Sequence, residues 1–390
     1  MTANGKEKEM EQKYSGFKPE NTWKPPVLLA YNHVDFHRRF IATRTPAIVQ
    51  LPINITLAGL DACTEQLVTV EESRLNGFGH GIKREMLFGA FMQSLTKGKT
   101  NLYLNTQKNH SDPLLRFLAP PLNVYPSLDP IWKLFPTCIP HEMNLWLGNS
   151  TAATSSGLHH DFHDNFYFLV EGKKSFSIAS PADAEFMYLE NIEKVHENGM
   201  IEYTDPDGRI IRQDGAYLDD VGTFRIEHIE RLLETATDPK IIEKLEGELD
   251  TALEMMMPKE GVWDEEDEDE TVQSSFNRTD LETNIEHLGE NGDKLPESFS
   301  LARSFDNSEE FNMLKSATRI DFTLEPNQML YLPCGWFHEV KSLGNENSSI
   351  HMAINLWTVP HMIVPANDFE HEVGYWQETS WKEVKKRLAD

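Results

Sequence analysis

The sequence predicts a mainly β protein, a double-sheet jelly roll flanked by helices at both ends and opened by a long acidic, partly helical insertion. Two observations point there first. From Asn144 onward, short apolar segments of strand length are separated by turn residues. That texture stops near residue 183 and resumes near 317, so the two stretches read as halves of one β unit of the jelly-roll kind. The third observation is the material between them, which holds the unbroken acidic run Asp264 to Glu270 in polar surroundings.

The elements follow in order. Residues 1–22 read as a flexible tail, polar and charged. Tyr31 to Ala42 carries apolar residues at helical spacing and ends before Thr43-Arg44-Thr45-Pro46; Ala47-Ile48-Val49 is a short buried strand. Met86 to Leu95 reads as an amphipathic helix stopped by Gly98, and Asn101 to Thr106 as a strand. Further strands are expected at Asn144 to Leu147, 165–170, Ser175 to Ile178, Arg319 to Leu324, Met329 to Leu332, Phe337 to Ser342 and Ser349 to Trp357. The last two flank a hairpin signal, Gly344-Asn345-Glu346-Asn347. Inside the interruption, helices are expected at Thr223 to Thr235 and Pro239 to Met257. The second has an apolar stripe (Ile241, Ile242, Leu245, Leu249, Leu253, Met256) behind an Asp238-Pro239 cap. The acidic run and the sequence after it read as a disordered loop, whose charge would otherwise serve as a lure for basic substrates. The chain thus divides into a tail (1–22), an N-terminal part with the first half of the jelly roll (23–182), the acidic insertion (183–316), the second half (317–360) and a C-terminal helical segment (361–390).

The totals set bounds. The 390 residues make one large domain or two small ones, with enough aromatics for a substantial core. A net charge of −27 disfavours nucleic acid and favours basic partners. No stretch is long and apolar enough to span a bilayer, and Met1 to Lys18 has no apolar signal core. Cys63, Cys138 and Cys334 show neither paired nor zinc spacing, which suggests a reducing compartment, cytoplasm or nucleus.

The chemistry lies in His159-His160-Asp161 and, 177 positions beyond Asp161, His338. Alternate residues of a strand share a face, so His159 and Asp161 are expected side by side, with His160 pointing away. The segment Leu330 to His338 reads as a strand, a tight turn at Pro333-Cys334-Gly335 and a third ligand. Two histidines and one carboxylate leave half an octahedron open, the arrangement that suits a non-haem Fe(II) oxygenase. His163 has the parity of a fourth ligand or a substrate contact, and the second is favoured. His141, His351 and His361 read as structural. Gly77-Phe78-Gly79-His80-Gly81 lacks the spacing of a phosphate loop.

These residues resemble the jumonji C-type (JmjC) 2-oxoglutarate oxygenases, most of all their small single-domain protein hydroxylases, with a cupin-type double-stranded β-helix. The resemblance rests on Asn165 and Lys174, four and thirteen residues after Asp161, on Tyr331-Leu332-Pro333 through Trp336-Phe337-His338, and on the closing Ile354-Asn355-Leu356-Trp357. Val70-Glu71-Glu72, Gly77-Phe78-Gly79 and Leu102-Tyr103-Leu104 extend it upstream. It implies Fe(II) held by His159, Asp161 and His338, and 2-oxoglutarate whose distal carboxylate pairs with Lys174. Tyr103 and Ser156 would add hydroxyls there, Asn165 and Asn355 would sit near the C1 end, and Tyr167 would line the pocket. Ascorbate would serve as reductant in assays. Hydroxylation of a protein side chain, lysine first, is the activity implied, with a histone lysine demethylase as the alternative. A catalytically idle cupin acting as an interaction platform and an RNA-modifying hydroxylase are the further readings. The helical segment Glu370 to Leu388 resembles those that form dimers in relatives, so a homodimer through it is compatible with the sequence.

Overall fold

The computed structural model describes residues 10–30, 32–51, 60, 63–72, 82–105, 138, 140–151, 153–203, 226, 229–230, 233–234, 236–256, 297–344 and 348–358. Eight strands form the jelly roll: β7 (Pro140–Asn149), β8 (Thr154–Ser155), β9 (Asp164–Glu171), β10 (Lys173–Ala179), β13 (Ile320–Leu324), β14 (Gln328–Leu332), β15 (Phe337–Leu343) and β16 (Ile350–Thr358). The chain alternates between two sheets except across the insertion, where β10 and β13 pair within one of them. The smaller has the order β13-β10-β15-β8; in the larger, β14-β9-β16-β7 form the centre. This is the double-stranded β-helix expected from the texture. The larger sheet is widened by β2 (Val27–Leu28) and β3 (Ala47–Gln50) on one side and by β6 (Leu102–Asn105), β4 (Leu67–Glu72) and β5 (Ile82–Leu87) on the other.

One core lies between the sheets, with Tyr167, Leu169, Phe176, Ile178, Leu330 and Trp336. A second covers the outer face of the larger sheet, where Phe36 of α1 (His33–Phe36), Phe40 of the helical turn after it, and Phe88, Phe91 and Leu95 of α2 (Phe88–Thr96) meet Phe166, Phe168 and Ile354. Because both faces of β9 and β16 are covered, these strands read as continuous apolar runs rather than alternating ones.

Four expectations are corrected. Residues 10–22 of the expected flexible tail are docked: β1 (Glu11–Gln12) pairs in parallel with β11 (Ile192–Val195), and Tyr14 is buried. The helix expected from Met86 starts at Phe88, because Met86 and Leu87 end a strand paired with β4. Gly344 to Asn347 does not close a paired hairpin, since β15 and β16 lie in different sheets. The insertion's margins are folded, not loose: β12 (Ile201–Tyr203) pairs with β11, and Ala302, Phe305 and Leu314 share a third core with Tyr14, Leu158 and Phe337. Within the insertion α3 spans Pro239–Met256, as its stripe predicts. The acidic run, Gly77 to Gly81 and residues 361–390 lie outside the described residues, as does most of the helix expected at Thr223 to Thr235.

Candidate metal centre

The candidate ligands come from two segments locked together. His338 lies at the start of β15. His159 is not in a strand, as its spacing suggested; it forms a single bridge in which the two histidines exchange both backbone hydrogen bonds, at 3.0 and 2.7 Å. On its other side His159 bridges to Phe299 of the insertion's far margin, whose ring stacks on the imidazole at 4.7 Å and 9°. Asp161 follows in irregular chain, and its carbonyl accepts the Gly335 N–H at 2.9 Å. The bridge and the turn, rather than a strand pleat, bring His159 and Asp161 to one place.

The ligating atoms of His159, Asp161 and His338 all lie within 4.8 Å of one another, and among the described residues no other such group occurs. His338 is buried, and the other two are half-buried. Each imidazole has Nδ1 at 2.9 Å from a carbonyl, Gly157 for His159 and Trp336 for His338. A carbonyl only accepts, so the proton sits on Nδ1 and Nε2 offers its lone pair. Burial, with His338 beside it, pushes the His159 pKa down to about 3 and keeps that ring neutral. For Asp161 burial acts upward, but the two imidazoles and an Asn165 hydrogen bond outweigh it and hold the carboxyl below its usual range. Two neutral nitrogens and one carboxylate oxygen fit Fe(II).

A buried turn supports the centre. Arg44 and Asp164 form a fully buried ion pair, with Tyr331 OH and Cys334 N–H also donating to Asp164, at 3.0 and 2.9 Å. This clamps the chain between β14 and β15 just before His338. Gly335 is required there: its φ is +72°, and a Cβ would fall 1.7 Å from the Gly199 carbonyl.

The remaining candidates converge on the inter-sheet space. In register, Ile178 faces His338 and Lys174 faces Ser342, so Lys174 stands four residues further along the same face. The odd Asp161–Lys174 offset is absorbed where the chain changes sheets at Gly172, next to a bulge in the β9–β16 ladder. Lys174 is buried and donates to Ser342 Oγ at 2.6 Å. Tyr167 is opposite Asn355 and Leu330 in the larger sheet; burial, and then nearby Tyr103, push its hydroxyl pKa well up. Asn165 donates to Asp161 Oδ2 at 3.0 Å and accepts from Asn355 at 3.3 Å. Ser156 is differently occupied: its hydroxyl donates to Gly157 O and accepts the Val340 N–H. His160 points away, bound to Tyr203 OH at 2.5 Å, and burial pushes its pKa to about 4. His163 is outside the ligand group and stacks on Trp357 at 5.8 Å.

Sequence reasoning missed Arg44–Asp164, Phe299 and Gly148. Only the last left a readable signal, an isolated glycine in an apolar strand, which often marks a close approach. A Cβ at Gly148 would lie 2.7 Å from the Tyr103 ring and 3.2 Å from that of His351.

A jelly roll that brings together a His-Asp-His group able to hold a metal ion defines a cupin-like protein. The chain matches the Cupin-like domain family over residues 61–360. It is 31% identical over 450 aligned positions to "JmjC domain-containing protein 4" of Schizosaccharomyces pombe, covering 96% of this chain and 92% of that protein. A shorter match, 38% over 53 residues (14% of this chain, 15% of the other), is to "Lysine-specific demethylase JMJ32" of Arabidopsis thaliana. Among solved structures, E. coli ycfD is aligned over 93% of this chain and 68% of that one, at 12% identity and a TM-score of 0.38. The chain belongs to the cupin-like JmjC family, generally one of iron- and 2-oxoglutarate-type oxygenases.

Proposed function

We propose that this protein is an Fe(II)- and 2-oxoglutarate-dependent oxygenase that hydroxylates a protein side chain, lysine first. The observation that carries the reading is the triad of His159, Asp161 and His338, with both Nδ1 atoms tied to carbonyls and both Nε2 atoms left to coordinate. Fe(II) with 2-oxoglutarate and O2 supplies C–H hydroxylation, releasing succinate and CO2. The chain's own residues do the rest. Lys174, a buried cation, is the natural partner of a dicarboxylate's far end, and Tyr103 and Tyr167 bring phenol groups to that end. Asn165 and Asn355 fix the near end, while Trp336, Leu330 and Ile178 exclude water. Ser156, its hydroxyl already committed to backbone, shapes the wall instead. The His163–Trp357 stack beside Asn165 is a flat surface for the substrate. The charge of −27 favours a basic polypeptide, and the three buried free thiols suit cytoplasm or nucleus.

The match to a protein named as a lysine-specific demethylase favours one alternative, oxidation of an N-methyl group on lysine. The test compares wild type with His159→Ala for succinate release from 2-oxoglutarate with Fe(II), ascorbate and O2. Succinate above background in wild type and none in the variant is the expected result; equal release from both would sink the reading. On peptides, a gain of one oxygen marks hydroxylation, whereas loss of a methyl group with formaldehyde marks demethylation.

A further inference from the structure

Asn165, which donates to Asp161 Oδ2, is itself one link of a longer chain. Trp146 Nε1 donates to Asn355 Oδ1 at 2.6 Å; Asn355 Nδ2 donates to Asn165 Oδ1 at 3.3 Å; Asn165 Nδ2 donates to Asp161 Oδ2 at 3.0 Å. That oxygen is also the one 3.7 Å from His338 Nε2. Four side chains on three neighbouring strands and the segment before them are thus joined in one line.

The line has one possible direction. An indole N–H only donates, so Asn355 must turn its oxygen to Trp146 and its NH2 to Asn165. Asn165 must then accept with its oxygen and donate with its NH2. At the far end an ionised carboxylate only accepts, which agrees. Flipping either amide would set two acceptors or two donors against each other, at buried positions where that is costly. In a low-dielectric interior, such bonds also polarise one another in series.

We infer that Trp146 is a remote positioning residue for the metal: the relay Trp146–Asn355–Asn165 holds Asp161 in its ligating orientation. This rests on the metal reading of the triad. It also places a use on Trp146 beyond its packing against Tyr103, 6.4 Å away.

The test is Mn(II) affinity, read by calorimetry and by the Mn(II) electron paramagnetic resonance line shape, in a cycle of Trp146→Phe and Asn165→Ala. Asn165→Ala is expected to weaken binding by about 10- to 100-fold. Trp146→Phe should weaken it about threefold and alter the line shape when Asn165 is present, yet change neither on the Asn165→Ala background. Should Trp146→Phe fail to fold, Asn355→Asp interrupts the same line with nearly the same shape, because it accepts from Trp146 but cannot donate to Asn165. Unchanged affinity, or an equal loss in both backgrounds, would overturn the relay while leaving the metal centre standing. Wild-type protein that binds no Mn(II) would overturn the metal centre and the relay together.

Discussion

At the scale of single residues, the site depends on where small groups let large ones stand. Gly148 is the sharpest case. It pairs in register with both Tyr103 and His351, and their rings fill the space a side chain would need. Gly148→Ala should displace the Tyr103 ring, which the proposed function sets at the far end of 2-oxoglutarate. Its effect belongs on 2-oxoglutarate rather than on metal, because the triad sits on other elements. A misplacement near 1 Å can cost up to about a hundredfold, so we expect KM for 2-oxoglutarate to rise at least about tenfold. Mn(II) affinity should stay within about twofold. Calorimetric titrations of each ligand separate the two, and an equal loss of both would place Tyr103 outside the 2-oxoglutarate pocket. The gathering of His159, Asp161 and His338 was legible in the sequence, because histidines and carboxylates at such spacing beside a turn are rare and chemically marked. The partners that orient them, Trp146 and Phe299, were not. Each resembles an ordinary core aromatic until register and stacking are known.

Elements show a similar division. Strands β9, β14 and β16 were readable because burial on both faces demands continuous apolar sequence. β5 was not: Ile82 to Glu85 are all exposed, so its sequence has no hydrophobic period to read. The segment holding His159 was misread as a strand because alternation predicts facing but not pairing. Its true anchor is the turn between β14 and β15, and that turn depends on the buried Arg44–Asp164 pair. Asp164→Asn would leave the Arg44 guanidinium buried beside a neutral amide. Breaking such a pair costs roughly 3–5 kcal/mol, which at this chain size lowers Tm by about 4–6 °C. Replacing both groups, as in Arg44→Met with Asp164→Leu, should recover much of the loss, since no charge is then stranded. Thermal unfolding of the three proteins decides it. If the double variant is the least stable, the pair's many hydrogen bonds outweigh its desolvation.

For the whole molecule, the question is what the insertion contributes. Its near and far margins both pack against the jelly roll. Tyr203 OH binds His160 Nε2, Ser298 O accepts the His160 N–H at 3.0 Å, and Phe299 covers His159. The middle is another matter: among the described residues, the apolar side of α3 clusters with 226–236 and with no strand of either sheet. The sequence marked this region as foreign to the β unit by its charge, but not that its ends would pack against His159 and His160. Because Tyr203 and Ser298 meet at the same histidine, their ends are near neighbours. A Gly/Ser linker of about eight residues, with a reach of up to roughly 26 Å, should replace 204–296. Loop entropy changes slowly with length, so stability should hold within about 1–2 kcal/mol. We expect the shortened protein to keep Mn(II) affinity and substrate-free succinate release, both of which depend on elements that remain. If the acidic run is the lure that its charge would allow, turnover of a basic peptide substrate should fall and lose its salt dependence; if the run is only a solvated loop, turnover should hold. Retained peptide turnover would instead assign substrate choice to the His163–Trp357 face. Loss of metal binding would show that residues 204–296 are part of the core and not an addition to it.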